Sequence, residues 1–299
     1  MNAMTNAETE RLSFVERAQP WLGTIVSIGV GGLDDTNSHA AIEAGFAAIK
    51  NVHSAMSFHE HTSDVSRLNM HAHERIIAVD PHTYAVIAHA VDLSRSSNGV
   101  FDIAVGAKLV TWNFLPQQNI LPPITASWRD IELLPPQSIR FRQPLWIDLG
   151  GIAKGYAVDQ AAETLRQHGV NEGRVNAGGD IRIFGPHTHH VMLRVPEHSS
   201  VNVPVLEVSN CALASSSNAT TQRQFGDRMV GPHLNGVSKE PVGFGTFVTV
   251  VAETCVIADA LTKVVLALGE GAHDILVHHK ATAYVHAVGQ GWQTFGIEM

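Results

Sequence analysis

Apolar and polar positions change period several times along the chain, and each change predicts an element. Trp21 to Val30 alternates toward a period of two and predicts a first strand. Ser38 to Ser57 places Ala41, Ala44, Gly45, Ala48, Val52 and Met56 on one small-residue face and predicts a helix. Ser63-Asp64 can cap a short helix through Leu68. Ile76-Ile77-Ala78-Val79 predicts a short strand, and Asp80-Pro81 opens a helix, proline in its first turn, that runs to about Ser96. Asn98-Gly99 is a turn. Residues 102–114 have helical propensity and end on Trp112 and Phe114, while 115–127 hold three prolines and no period, a surface loop. Ser127 to Leu134 predicts a short helix or turn, and Ile139 to Ile147 a hairpin-like strand pair.

From Trp146 to Gly185 the pattern reads strand, glycine turn, helix, loop, strand, glycine turn, strand. The apolar Leu145-Trp146-Ile147 ends in Asp148 and Gly150-Gly151. A helix begins near Lys154, with Tyr156, Ala157, Ala161 and Leu165 mostly on one face, and Gly169 stops it. Val175 leads into Asn176-Ala177-Gly178-Gly179-Asp180, a second place where backbone can approach a ligand closely. Val191 to Val195 and Val203 to Val208 predict strands; Leu213 to Arg228 is polar and rich in Ser, Thr and Asn. Thr246 to Ala252 is a β-branched strand and Cys255 to Gly269 a helix. Asp274 to His279 finishes a helix or begins a strand, and Ala281–Ala287 with Trp292–Ile297 predicts a closing hairpin. Strands and helices do not alternate one for one, which favours an α+β fold over a doubly wound sheet. No G-x-G-x-x-G follows a strand, which weakens a nicotinamide-dehydrogenase reading.

Composition narrows the class. The chain has 299 residues, 44% of them hydrophobic, enough for a large core or for two lobes. A net charge of −8 without any Lys/Arg run argues against a nucleic-acid partner. Eighteen histidines fall mostly in loops, such as His187-Thr188-His189-His190; His59-Glu60-His61 and His71-Ala72-His73 could bind a transition metal, but a solvated polar loop is the commoner outcome. Two cysteines, Cys211 and Cys255, imply no disulfide framework and fit a reducing compartment. Residues 1–16 are polar and are expected to form a mobile segment before a single domain over 17–299. They lack the apolar run of a signal peptide, and no apolar stretch approaches ~20 residues, so the expectation is a cytoplasmic protein without a membrane segment.

Two glycine pairs, each beside an aspartate, with a lysine at a helix start, suit a phosphate-bearing ligand and its cation, although glycine turns of this kind also occur as plain α/β connections. The order DLGGIAKGYAVD then VNAGGDIRIFG closely resembles the ApbE family, the FAD:protein FMN transferases. LGTIVSI (22–28), AMSFHEHTSDVSRLN (55–69), NGVFDIAVGAKLVTWNF (98–114) and ADALTKVVLALG (258–269) resemble it in the same order, so the likeness spans about residues 17–299. It implies an α+β fold with a larger and a smaller lobe and FAD in the cleft between them. It implies transfer of FMN from FAD onto a Ser or Thr hydroxyl of a partner flavoprotein, with release of AMP.

By the same resemblance, Mg²⁺ is held by the carbonyl of Gly151, by Asp259 and by the positions three and four residues on, Thr262 and Lys263, which share one helix face. Leu22 stands where the family has a methionine against the flavin ring, and His59 where it has a stacking tyrosine. Asp102, Asp148 and Lys154 match further FAD-contacting positions. Two departures stand out. The family usually has threonine where this chain has Lys263, and a protonated lysine offers no lone pair to a metal. Either Thr262 supplies the hydroxyl and Lys263 turns to a phosphate, or the ammonium takes the cation's place. Aligned on Pro232, Arg228 stands where the family has a histidine. Arginine can stabilise phosphate charge but cannot act as a base near neutral pH, so His233 is the nearest substitute. An alternative implied by both departures is a member that binds or hydrolyses FAD with weakened transfer.

Overall fold

The computed structural model describes residues 14–117, 122–193, 203–218 and 221–298. The chain enters through β1 (Val15–Trp21) and β2 (Thr24–Gly31), joined at Leu22-Gly23 with φ of 56° and 72°. Positive φ at both turn residues matches the twist of a two-residue hairpin, although it is an uncommon region for leucine. The strand expected from Trp21 is therefore the second arm of a hairpin. Val15 and Glu16, expected in the mobile segment, pair with Val30 and Gly29.

Helix α1 (Asp35–Met56) begins three residues ahead of Ser38 because Asp34 accepts the Asn37 N–H at 2.9 Å. Ser63 caps α2 (Asp64–His71), and after β3 (Ile77–Ala78) Asp80 caps α3 (Pro81–Ser96). Helix α4 (Gly106–Thr111) is shorter than the expected 102–114, since Asp102 accepts the Ala104 N–H at 2.8 Å and holds the preceding residues in a turn. The next hairpin is β4 (Ile131–Leu134) with β5 (Ser138–Phe141), so the pair expected over Ile139–Ile147 lies one segment upstream.

Residues 142–147 form no strand. The Asn69 side chain instead accepts the Ile147 N–H at 2.8 Å and donates to the Ile147 carbonyl at 3.0 Å, while Gly106 N–H donates to the Trp146 carbonyl at 2.9 Å. One amide thus satisfies backbone groups that a neighbouring strand would otherwise take.

After this missing first strand, the rest of the central stretch folds as expected into α5 (Ala153–Gln167), β6 (Glu172–Ala177) and β7 (Asp180–Phe184). β8 (His189–Met192) pairs with β9 (Val205–Val208); Arg194 and Val195, expected to extend the former, lie outside the described residues. The segment expected to be merely polar holds three strands, β10 (Ala212–Ser217), β11 (Arg223–Phe225) and β12 (Arg228–Val230). The chain closes with β13 (Thr246–Ala252), α6 (Cys255–Leu268), α7 (His273–His278), β14 (Thr282–Ala287) and β15 (Gly291–Gly296).

The main sheet is antiparallel throughout, in the order β1-β2-β6-β7-β10-β13-β14-β15. That is an α+β fold. Helix α1 packs on β1 and β2, α5 on β6 and β7, and α6 on β10 and β13. β13 reads as a nearly unbroken apolar run because both of its faces are covered: Val248 and Val250 join the main core, while Val251 joins Ile183, Val208 and Leu213 in a second cluster. Both cysteines are free.

Candidate functional site

Helices α5 and α6 cross in contact at Gly155, where an added Cβ would stand 2.2 Å from the Cys255 carbonyl oxygen. Neither N-cap residue, Ile152 or Thr254, supplies a side-chain cap. The helices cap each other instead. Asp259, one turn into α6, accepts the Gly155 N–H at 3.1 Å in the first turn of α5. Asp159 of α5 accepts the N–H groups of Cys255 at 2.9 Å and Val256 at 2.8 Å. Each carboxylate therefore meets the positive end of the other helix.

Three buried carboxylates are each paired with a lysine, two of them beside this crossing. Lys263 binds Asp259, one turn back on α6, and its Nζ lies 3.0 Å from the Asp259 carbonyl. Lys154 binds Asp180, which follows the second glycine pair. Lys239 Nζ sits 3.0 Å from Asp102. The acids are almost wholly out of water, with side chains 0–1% exposed. Burial pushes the Asp180 carboxyl up, and the neighbouring Asp259 charge adds to this, to about 6. Burial works the same way on Asp259, but Lys263, Lys154 and the Gly155 N–H outweigh it and hold that carboxyl below the usual range. Burial alone would lower Lys154; Asp180 and Asp259 reverse this and keep the ammonium charged. Asp102 and Asp148 are both raised by burial, against Lys239 in one case and the Gly150 N–H and His59 in the other.

A cleft of about 630 Å³ opens onto these pairs. Leu22 reaches it from the β1–β2 turn, and Phe58 and His59 from the segment after α1. Asp148, Gly151 and Lys154 reach it from the first glycine turn, Asp102 from the turn before α4, Lys263 from α6 and His233 from the loop after β12. The volume suits a cofactor-sized ligand. Burial and the Lys263 charge depress His233 to about 3, so its ring is neutral. Leu22, His59, Asp102, Asp148, Gly151, Lys154, His233 and Lys263, all singled out in the sequence, thus share one cleft. Arg228 does not join them. It lies exposed on β12, with its guanidinium 2.6 Å from Glu240 and over the Trp112 ring.

The donors expected to hold Mg²⁺ do not fit a metal as they stand. One Asp259 oxygen accepts Lys263 and the other the Gly155 N–H. The Thr262 hydroxyl is fully buried, donating to the Asp259 carbonyl at 2.7 Å and 2.7 Å from Ser216 Oγ. The Lys263 chain lies against Gly151, with Cε 3.5 Å from where a Cβ would stand. Among the described residues no three His, Cys, Asp or Glu side chains gather as a metal set, and the HxH pairs form none. Asp180 figures in the sequence only as the aspartate beside the second glycine pair, and Lys239, a lone loop lysine with φ of 55°, carries no mark there at all.

A 25% identical crystal structure, the ApbE protein from Thermotoga maritima, superposes with a TM-score of 0.82 over 94% of this chain and 96% of that one. A FAD:protein FMN transferase from Vibrio cholerae is 26% identical over 238 residues, 74% of this chain and 71% of its own. One from Haemophilus influenzae is 26% identical over 255 residues, 78% and 73% of the two chains. Fold, cleft and relatives together make this protein a transferase. The ApbE family model matches residues 22–285, and the chain belongs to that family. No helix among the described residues is long and apolar enough to cross a membrane.

Proposed function

We propose that the chain is a FAD:protein FMN transferase. The observation that carries this reading is the cleft itself, which joins Leu22, Phe58 and His59 to a helix start bearing Lys154 and to Lys263. A flat ring system stacks against the first group, and the pyrophosphate lies along the second. Phosphoryl-type transfer is mostly positioning and charge neutralisation, which two ammonium groups and the N-terminus of α5 supply. A Ser or Thr hydroxyl of the acceptor attacks the FMN phosphorus; the new P–O bond forms as the bond to the AMP phosphate breaks, and the hydroxyl proton passes to solvent. His233, neutral in the cleft, accepts a hydrogen bond from the incoming hydroxyl. Burial and the Lys263 charge make its imidazolium costly, so it orients the hydroxyl rather than carrying the proton away. Arg228, outside the cleft, takes no part in this step.

The test is to incubate the protein with FAD and an acceptor domain presenting a Ser/Thr site, following AMP by chromatography and flavin fluorescence on the denatured acceptor. AMP release with a fluorescent acceptor is the expected result. AMP and free FMN without label favours the hydrolytic alternative, and no AMP under any condition refutes both.

A further inference from the structure

The chain has placed an ammonium where the resemblance places a metal, and the hydrogen bonds around it say what it does. An ammonium has three N–H donors. Those of Lys263 reach the Asp259 carboxylate and, at 3.0 Å, the Asp259 carbonyl, which leaves one donor unused. The side chain is 12% exposed and lines the cleft, so that donor has only the cleft to point into. The Lys263 chain passes Gly151, the glycine just before α5, with Cε 3.5 Å from where a Cβ would stand, and Lys263 lies one turn on from Asp259 at the α5–α6 crossing. Thr262, the hydroxyl that could have completed a metal's shell, is turned inward to Ser216 and does not line the cleft. Asp180 and Asp259 hold Lys154 and Lys263 in place, so a pyrophosphate entering the cleft meets ammonium donors that are already positioned.

We infer that Lys263 is a tethered cation for the FAD pyrophosphate, so that this protein binds its nucleotide without a divalent metal ion. The inference rests on FAD being the substrate. It concerns how charge is neutralised at the site, and a covalently held cation neither dissociates nor responds to chelation. Its single charge is weaker than that of a divalent ion, and Lys154 on the neighbouring helix supplies the second positive charge.

The experiment is a titration of FAD into the purified full chain, read by flavin fluorescence, once in excess EDTA and once in millimolar Mg²⁺. The expected dissociation constants agree within about twofold. Lys263→Thr, which restores a hydroxyl and frees one Asp259 oxygen, is expected to bind at least tenfold more weakly in EDTA and to regain that affinity in Mg²⁺. Lys263→Met is expected to lose the same affinity with no rescue. Wild-type binding that strengthens tenfold or more with Mg²⁺ overturns this inference and leaves the transferase reading intact. No FAD binding in either condition overturns the substrate assignment and this inference together. The wild-type comparison alone decides the matter should a variant fail to fold.

Discussion

Gly155→Ala tests whether the site depends on how closely α5 and α6 cross. The added methyl carbon would stand 2.2 Å from the Cys255 oxygen, 2.7 Å from its carbonyl carbon and 2.8 Å from Asp259 Cβ. The first two are backbone atoms and cannot rotate away, so the helices must part by about 1 Å to reach ordinary contact. That movement stretches the Gly155–Asp259 hydrogen bond, now 3.1 Å, to about 4 Å, beyond useful range. Overpacking costs about 1–3 kcal/mol. The lost cap adds about 1–2 kcal/mol. Replacing glycine by alanine inside a helix returns about 1 kcal/mol. The net is a loss of about 1–4 kcal/mol, or a fall of roughly 2–8 °C in Tm for a chain of this size. Gly45→Ala in α1 is the control. There the nearest atom is Ile28 Cδ1 at 3.0 Å, the free end of a side chain, so the helix gain offsets the contact and Tm stays within about 2 °C. Melting followed by circular dichroism reads both. A Gly155→Ala melt within 2 °C of wild type, or an equal fall in Gly45→Ala, would refute the close-crossing argument.

Asn69→Ala strands the Ile147 N–H and carbonyl in the core, and should cost about 2–4 kcal/mol by urea denaturation; an unchanged midpoint would show that the clamp is dispensable. Lys239→Met should destabilise by about 3–5 kcal/mol because it leaves Asp102 buried and unpaired, and adding Asp102→Asn should recover at least half of the loss. His233 has a folded pKa of about 3 against an ordinary 6.5, so the unfolded chain takes the proton first. Its contribution to stability is present above about pH 6.5 and is lost as pH falls toward 3. His233→Gln should flatten that slope, and a ring titrating near 6.5 by NMR would contradict the buried, neutral assignment.

The helices α1, α3, α5 and α6 were legible because a 3.6-residue period and local signals coincide in each, such as Asp80-Pro81 and Gly169. β10 was not: its ALASSS sequence has weak strand preference, and its place is set by partners distant in sequence, with Ser215 bonding Thr249 and Ser216 bonding Thr262. The apolar run through Ile147 looked like a strand because burial leaves the same signature whether a strand or Asn69 satisfies the backbone. In the site, motif order gave the glycine turns, Asp148, Lys154 and Asp259, since these lie in compact stretches. Lys239 was invisible because its meaning lies in Asp102, 137 residues earlier. Arg228, aligned through Pro232, faces away because the β11–β12 hairpin sends Val230 inward and leaves Arg228 and Met229 outside; a linear alignment does not see that turn.

The mutual capping of α5 and α6 also has a consequence in time. Gly155 and Asp259 are separated by 104 residues, so during translation the first turn of α5 emerges long before the carboxylate that completes it. Until then Lys154 lacks the charge of Asp259, and the end of α5 that faces the cleft has an uncapped N–H. A nascent chain ending before Cys255 therefore carries the glycine signature in full yet lacks the helix that brings Lys263 to the cleft. The cleft is completed only once α6, which carries Lys263, has left the ribosome and packed on α5.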